Sequence, residues 1–238
     1  MRKVKNKKVV RRLSDRSFRA SRTRNIIAVL AIVLTAMLFT TLFTLGIGTV
    51  ENFQRQTMRQ SGSDCHGVIK NLTMEQYEKL SKDPSIVESA NCMLMADSVE
   101  NKEFLKRHME IWYYPQYHYP HCFIDIIDGR APEAADEILM DDVSMNLLGL
   151  SPKAGQQVTL KLRIKDSDEN VTERTFTVSG VIKADPALDV GFAIVSDAYL
   201  SAHADELVYT YDKDYSPTGA VRMDVMFSNS FSIQKKLD

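Results

Sequence analysis

The sequence predicts one membrane helix followed by an α+β domain built on a mixed, largely antiparallel sheet. Three observations predict it. A charge-free run extends from Asn25 to Val50. Beyond it, short segments of period-two hydrophobicity mix with short helical ones, without the strict strand–helix–strand rhythm of a parallel sheet. The charge is also divided unevenly: the first 24 residues hold eleven Lys or Arg and one acid, Asp15. With 30 basic and 31 acidic residues in all, positions 25–238 keep 19 basic and 30 acidic ones, so the formal net charge of −1 is a cancellation between unlike parts.

The run "NIIAVLAIVLTAMLFTTLFTLGIGTV" exceeds the roughly 20 apolar residues that a helix needs to cross a bilayer. A cleaved secretory signal has an apolar core of about 7–15 residues and a small-x-small cleavage site. The stretch "TVENFQRQ" offers no such site. Lys and Arg flanking a span stay on the cytoplasmic side, so the arm is expected inside and residues 51–238 outside. That placement sets aside nucleic acid as the arm's partner. Val10, Leu13 and Phe18 of the arm are candidates to dip into the lipid interface while the basic residues meet anionic lipid. Within the span, Ala36, Thr40, Thr44 and Gly48 recur every four residues and form a candidate helix-packing face, since small residues let another helix backbone approach closely. Small residues are also common in membrane helices without such a partner.

The expected organisation is a basic arm (1–24), a membrane helix (25–50), an extracytoplasmic domain (51–228) and the start of a return helix (229–238). Glu51 to Ser63 continues the helix outward until "SGS" breaks it. "NLTMEQYEKLSKDP" reads as a helix capped by Thr73 or Asn71, with Glu75 and Gln76 in its first turn. "SANCMLMADS", "HMEIWYY" and "HCFIDIIDGR" read as strands. Glu137 to Met140 begins another strand. It leads to a short helix in "DDVSMNLLGL", capped by Asp141 or Asp142, with Val143, Leu147 and Leu148 as the apolar face and Gly149 at the end. "QQVTLKLRI" and "RTFTVSGVI" alternate around the polar turn "KDSDEN" as a hairpin with one buried face. "GFAIVS" is a buried strand, "DAYLSAHAD" a short helix and "AVRMDVMFS" a last strand.

No catalytic constellation emerges. The chain lacks G-x-x-x-x-G-K-[ST], G-x-G-x-x-G and G-x-S-x-G. Asp166, Asp168 and Asn170 imitate the first half of a calcium loop, but Val171 and Thr177 stand where Gly and Glu are required. Paired Asp141 and Asp142 read as helix caps. His118, His121 and Cys122 lie close together and Cys65–His66 lie elsewhere, yet H-x-x-H-C matches no standard zinc spacing. No metal and no catalytic residue are expected. Trp112, Tyr113, Tyr114, Tyr117 and Tyr119 instead suggest an aromatic, proline-containing loop that covers a core edge or serves as a partner-contact patch. Three cysteines, Cys65, Cys92 and Cys122, allow one disulfide and one thiol, which is not a disulfide framework.

The order of segments resembles the FtsX-like, MacB-like permeases of ABC transporters. In that family the domain after the first helix carries G-R, P, E-I, a short helix ending L-G, then G-x-x-V and a later V-x-G-V. The matching positions are Gly129, Arg130, Pro132, Glu137, Ile138, Leu148, Gly149, Gly155, Val158, Val178, Gly180 and Val181. "RRLSDRSFRASRTRNIIAVLAIVLTAMLFT" is also similar to the family's first helix and its approach. Gly129 and Gly149 suit turn and helix-end conformations that a Cβ resists, and Pro132 stiffens the connection after "DGR". These residues are therefore read as determinants of the fold.

The resemblance implies a permease subunit, acting as a homodimer or beside a paired permease, and the lack of a disulfide framework and of other eukaryotic signals makes a bacterial plasma membrane the expected location. A cytoplasmic ABC ATPase subunit binds the ATP; no cofactor is expected in this chain, and it is not expected to be an enzyme. The resemblance implies export or extraction of peptides, antibiotics, lipids or lipoproteins, or regulation of a cell-wall enzyme. The family's members have further membrane helices after the outside domain, so "NSFSIQKKLD" is expected to begin a return helix cut short. The competing expectation is a single-pass, membrane-anchored binding or sensor domain with no transport of its own.

Overall fold

In the computed structural model, residues 7–96, 98–163, 171–207 and 219–237 are described. The chain divides into two compact units, residues 1–55 and 56–238. In the first, α1 (Lys7–Ala20) leaves Val9, Val10, Leu13 and Phe18 exposed. α2 (Arg22–Ser61) is long and apolar enough to cross a membrane. Thr35, Thr40, Thr41 and Thr49 each donate their hydroxyl to the carbonyl four residues back, at 2.7–2.8 Å. Those donors are thereby satisfied inside the helix, which removes the cost of an unpaired hydroxyl in an apolar medium. α2 ends where expected: Ser61 is its last residue and Gly62 has φ +87°.

The second unit is a sheet of ten described strands. They are β1 (Gly67–Leu72), β2 (Ile86–Ala96), β3 (Ser98–Val99), β4 (Met109–Tyr113), β5 (Ile126–Gly129), β6 (Glu137–Asp141), β7 (Gln157–Arg163), β8 (Val171–Ile182), β9 (Gly191–Val195) and β10 (Val221–Phe227). The spatial order is β1-β10-β2-β4-β9-β6-β8-β7-β3, with β5 also on β8. Only β4–β9 and β6–β8 run parallel among the described pairs, so the sheet is mixed and mostly antiparallel. α3 (Met74–Leu80), α4 (Asp142–Leu147), α5 (Asp197–Ala202) and α6 (Ile233–Leu237) are short.

Local chemistry explains most boundaries. Thr73 accepts from the backbone N–H of Gln76 while the Gln76 side chain accepts from the backbone N–H of Thr73, a reciprocal cap that starts α3. β7 alternates exposed and buried residues, with Val158, Leu160 and Leu162 inward, and pairs with β8 from Gln157↔Thr177 to Arg163↔Val171. The turn "KDSDEN" expected between them, with its calcium-like residues, lies outside the described residues. β6 is buried almost throughout because it has a core on each face: Ile138 and Met140 belong to one, Leu139 to the other.

The larger core lies on one face and includes Met93, Ile111, Tyr113, Ile138, Met140, Phe176, Val195 and Met223. The smaller lies on the other, around Ala90, Cys92, Tyr114, Tyr119, Leu139 and Ile194. Burying each large side chain contributes about 1.5–3 kcal/mol.

Three expectations need correction. α4 does not bury Val143 and Leu147, which are 40% and 42% exposed; Met145 points inward instead, with Leu148 partly packed. Six residues held by the Asp141 cap make less than two turns, too few for apolar spacing to fix the buried face. The aromatic segment is not all loop: Trp112 and Tyr113 lie in β4, as "HMEIWYY" predicts, and Tyr117 and Tyr119 lie in a 3-10 helix, Gln116–Cys122. That helix also takes in His121 and Cys122, so the strand expected over "HCFIDIIDGR" is shortened to Ile126–Gly129.

Candidate functional site

The smaller core face gathers the chain's reactive side chains. β2 and β10 pair antiparallel with Ala90 opposite Asp224 and Cys92 opposite Arg222. Cross-strand partners point to the same side of a sheet, so Cys92, Arg222 and Asp224 share this face. Cys92 and Asp224 are fully buried. Over them lies the 3-10 helix, begun after Pro115 and stopped by Phe123 in a left-handed conformation (φ 56°). Its turns bring His118 and Cys122 down onto the sheet. The segment after α2 closes the side, held by the Asp64 N–H donating to the His121 carbonyl at 3.0 Å.

His118 is completely buried. Its Nε2 faces Asp224 Oδ2 at 3.1 Å and Cys65 Sγ at 3.8 Å. Cys122 Sγ lies 3.9 Å from Asp224 Oδ2. Arg222 Nε donates to the other carboxylate oxygen, Oδ1, at 2.9 Å. His121 Nδ1 meets Asp64 Oδ1 at 2.7 Å. His118 Nδ1 is buried with no hydrogen-bond partner among the described residues, and Glu88 Oε1 lies 4.0 Å away.

Charge follows from this packing. Burial pushes the Cys92 thiol well above its ordinary range. The Cys122 thiol moves the other way, lowered by its hydrogen bond to Cys92 and then, against burial, by His118. Burial alone would discharge His118, but Asp224, Cys122 and Cys65 hold its proton far more tightly than usual. Burial also works against the Asp224 carboxylate, yet His118 and Arg222 keep it ionised.

Beside this cluster opens a cleft of about 370 Å³, lined among others by Trp112, Tyr114, Phe123, Phe192, Cys122 and Arg222. Arg59, from the last turn of α2, also lines it, with its guanidinium 4.9 Å over the Phe123 ring. Arg59 pairs with Asp185 at 2.5 Å, and Arg222 donates to the Ser61 carbonyl at 3.2 Å.

The other residues singled out from sequence fall elsewhere. Ala36, Thr40 and Thr44 are exposed along α2, and Gly48 is nearly so. Gly129, Gly149 and Gly155 have φ of +75°, +73° and +88°. Gly129 and Gly180 lie back to back between β5 and β8, where a Cβ on Gly129 would strike the Ser179 carbonyl and one on Gly180 the Arg130 carbonyl. Arg130 and Glu137 form an ion pair, and Pro132 is buried between them in sequence. Of the five aromatics, Tyr113, Tyr114 and Tyr119 are buried, Trp112 is partly so, and Tyr117 is 59% exposed. Tyr113 packs in the larger core, Tyr114 and Tyr119 in the smaller one with Trp112 against it, and Tyr117 is the exposed member of the five.

Sequence reasoning isolated His118, His121 and Cys122 but missed Cys92 and Asp224. A signal for Asp224 existed: it is the one acid inside the apolar alternation of "VRMDVMF". The register that sets it beside Cys92 is not visible in the chain.

No family model matches the chain, and no curated protein does. Solved structures do show similarity. The extracellular domain of the noncanonic ABC-type transporter YknZ from Gram-positive bacteria is 12% identical, covers 71% of this chain and 88% of that one, and has a TM-score of 0.45. A domain assigned to a permease protein of Porphyromonas gingivalis is 14% identical over 68% and 70% of the two chains, with a TM-score of 0.41. The periplasmic region of MacB from Actinobacillus actinomycetemcomitans is 12% identical over 71% and 72%, with a TM-score of 0.40.

Proposed function

We propose that this chain is part of a permease subunit of an ABC transporter, with α2 in the plasma membrane, the basic arm in the cytoplasm and the sheet unit outside. One observation carries the reading: α2 is a single helix from the apolar run to Ser61, and its last turn belongs to the sheet unit. That turn is fastened by Arg59 to Asp185 and by Arg222 to the Ser61 carbonyl. Within the sheet unit these contacts tie the helix's last turn to the turn after β8 and to β10. The sequence order of basic arm, apolar helix and the Gly129–Val181 pattern supports the same reading. A separate cytoplasmic ATPase supplies the ATP-driven movement, the permeases pair as dimers, and the substrate is a peptide, antibiotic, lipid or lipoprotein.

The aromatic cleft favours a second reading, an anchored binding or sensor domain that captures a ligand without moving it. Purification of the protein from its native membrane separates the two. The transport reading expects a co-purifying ATPase whose hydrolysis falls when Arg59→Ala and Asp185→Ala are combined. Purification without any ATP-hydrolysing partner, with a small molecule or peptide retained in the cleft, would replace it by the second.

A further inference from the structure

We propose that Cys92, His118, Cys122 and Asp224 form a binding site for a thiophilic divalent cation, of which zinc is the natural occupant. The inference is independent of the transport reading. Four donor atoms from three elements converge: Cys92 from β2, His118 and Cys122 from the 3-10 helix, and Asp224 from β10. All lie within 4.8 Å of one another. A tetrahedral zinc ion with Zn–S of about 2.3 Å and Zn–N or Zn–O of about 2.0–2.2 Å needs donors separated by about 3.3–3.8 Å. The 3.1 Å from His118 Nε2 to Asp224 and 3.9 Å from Cys122 to Asp224 bracket that spacing.

Charge balance argues for a dication. In the ligating state Cys92 and Cys122 are thiolates, Asp224 is a carboxylate and His118 is neutral. Arg222 offsets one of the three negative charges: its Nε donates to Asp224 Oδ1 at 2.9 Å and its Nη2 to Oδ2 at 3.3 Å, and Oδ2 also faces His118 and Cys122. Two negative charges remain where Cys92 and Asp224 are fully buried and Cys122 partly so, and a divalent ion cancels them. Sulfur donors select zinc over calcium or magnesium, which take oxygen.

The surroundings have the parts a metal site uses. A ligating imidazole commonly directs its second nitrogen at a carboxylate, which fixes the ring. Among the described residues His118 Nδ1 is buried without a hydrogen-bond partner, and Glu88 Oε1 stands 4.0 Å from it. Access is also provided. Asp64, Cys65 and His121 form a second, half-exposed donor group, with Cys65 Sγ 3.8 Å from His118 Nε2. An incoming ion meets this outer group first and passes inward.

The test is zinc stoichiometry and affinity on the full-length protein in detergent, purified under reducing conditions, with cobalt(II) as an optical probe. The expected result is one zinc per chain and, for cobalt, the absorption of a tetrahedral thiolate site. Cys92→Ser combined with Cys122→Ser abolishes both. Because that variant removes buried groups, Glu88→Gln serves as the second: Glu88 is 41% exposed, so the metal-free protein still folds, as its unfolding curve checks, while zinc binds about 10–100-fold more weakly. The proposal is overturned if zinc is not retained, if binding survives the double cysteine change, or if protein from its native membrane carries a Cys92–Cys122 disulfide.

Discussion

Arg130 and Glu137 clasp the connection between β5 and β6. Arg130 Nη2 donates to Glu137 Oε1 at 2.6 Å and Nη1 to Oε2 at 2.9 Å, while the N–H groups of Glu133 and Ala134 donate to the same Oε2 at 2.8 and 3.1 Å. Arg130 first, then these N–H groups, pull the Glu137 carboxyl down to about 2 against partial burial. A depressed folded-state value stabilises the fold above the unfolded value of about 4.3, and that contribution disappears as pH falls toward about 2. Glu137→Gln is therefore expected to lower stability at neutral pH and to flatten its fall between about pH 5 and 2. Urea unfolding at several pH values reads this slope directly.

The two motif glycines with similar φ should respond very differently to alanine. At Gly149 a Cβ meets nothing within 4 Å, so only the left-handed backbone is penalised, about 1–2 kcal/mol. At Gly129 the Cβ would strike the Ser179 carbonyl and lie 2.6 Å from Ala154 Cβ. Thermal unfolding should show a modest loss for Gly149→Ala and failure to accumulate folded protein for Gly129→Ala. Equal effects would mean that the β5–β8 contact is looser than described.

Asp141 is a buried anchor for four donors: Arg107 Nη1 at 3.0 Å, the Ser144 N–H at 2.9 Å, the Ser144 hydroxyl at 2.6 Å and the Phe192 N–H at 2.9 Å. Its side chain is 2% exposed and that of Arg107 14%. Asp141→Ala leaves the guanidinium uncompensated and should cost about 3–5 kcal/mol. Adding Arg107→Met should recover part of that loss, which a denaturation double-mutant cycle would measure.

In α2 the proposed packing face makes a separate prediction. Ala36→Leu with Gly48→Leu places bulk where close helix approach needs small residues. Crosslinking in membranes should show weaker self-association, with the sheet unit's unfolding unchanged. Undiminished crosslinking would move the contact to another face.

Much of the fold was legible because local rules and tertiary packing agree. Val158, Leu160 and Leu162 announced β7, and Thr73 announced α3. Glycine at 149 announced the end of α4. Legibility failed where a segment's neighbours decide its role. "GVIKNL" carries no clean alternation, so β1 is defined by its pairing with β10. The inward side of α4 depends on what lies beneath Met145. For the cysteine–histidine cluster, His118 and Cys122 were visible as neighbours in sequence. Their partners Cys92 and Asp224 are supplied by a strand register that no spacing rule contains.

The pairing of the first and last long strands has a mechanical consequence. β1 lies antiparallel to β10, with Gly67 opposite Val225, and the His66 N–H donates to the Val225 carbonyl at 3.0 Å. The chain thus comes into the sheet and departs from it at one corner. Opposed pulls on these two ends peel the strands apart one hydrogen bond at a time, whereas a common pull on both leaves the seam unloaded. The domain should therefore be a soft fuse against forces that separate its ends and a stiff body against forces that move them together.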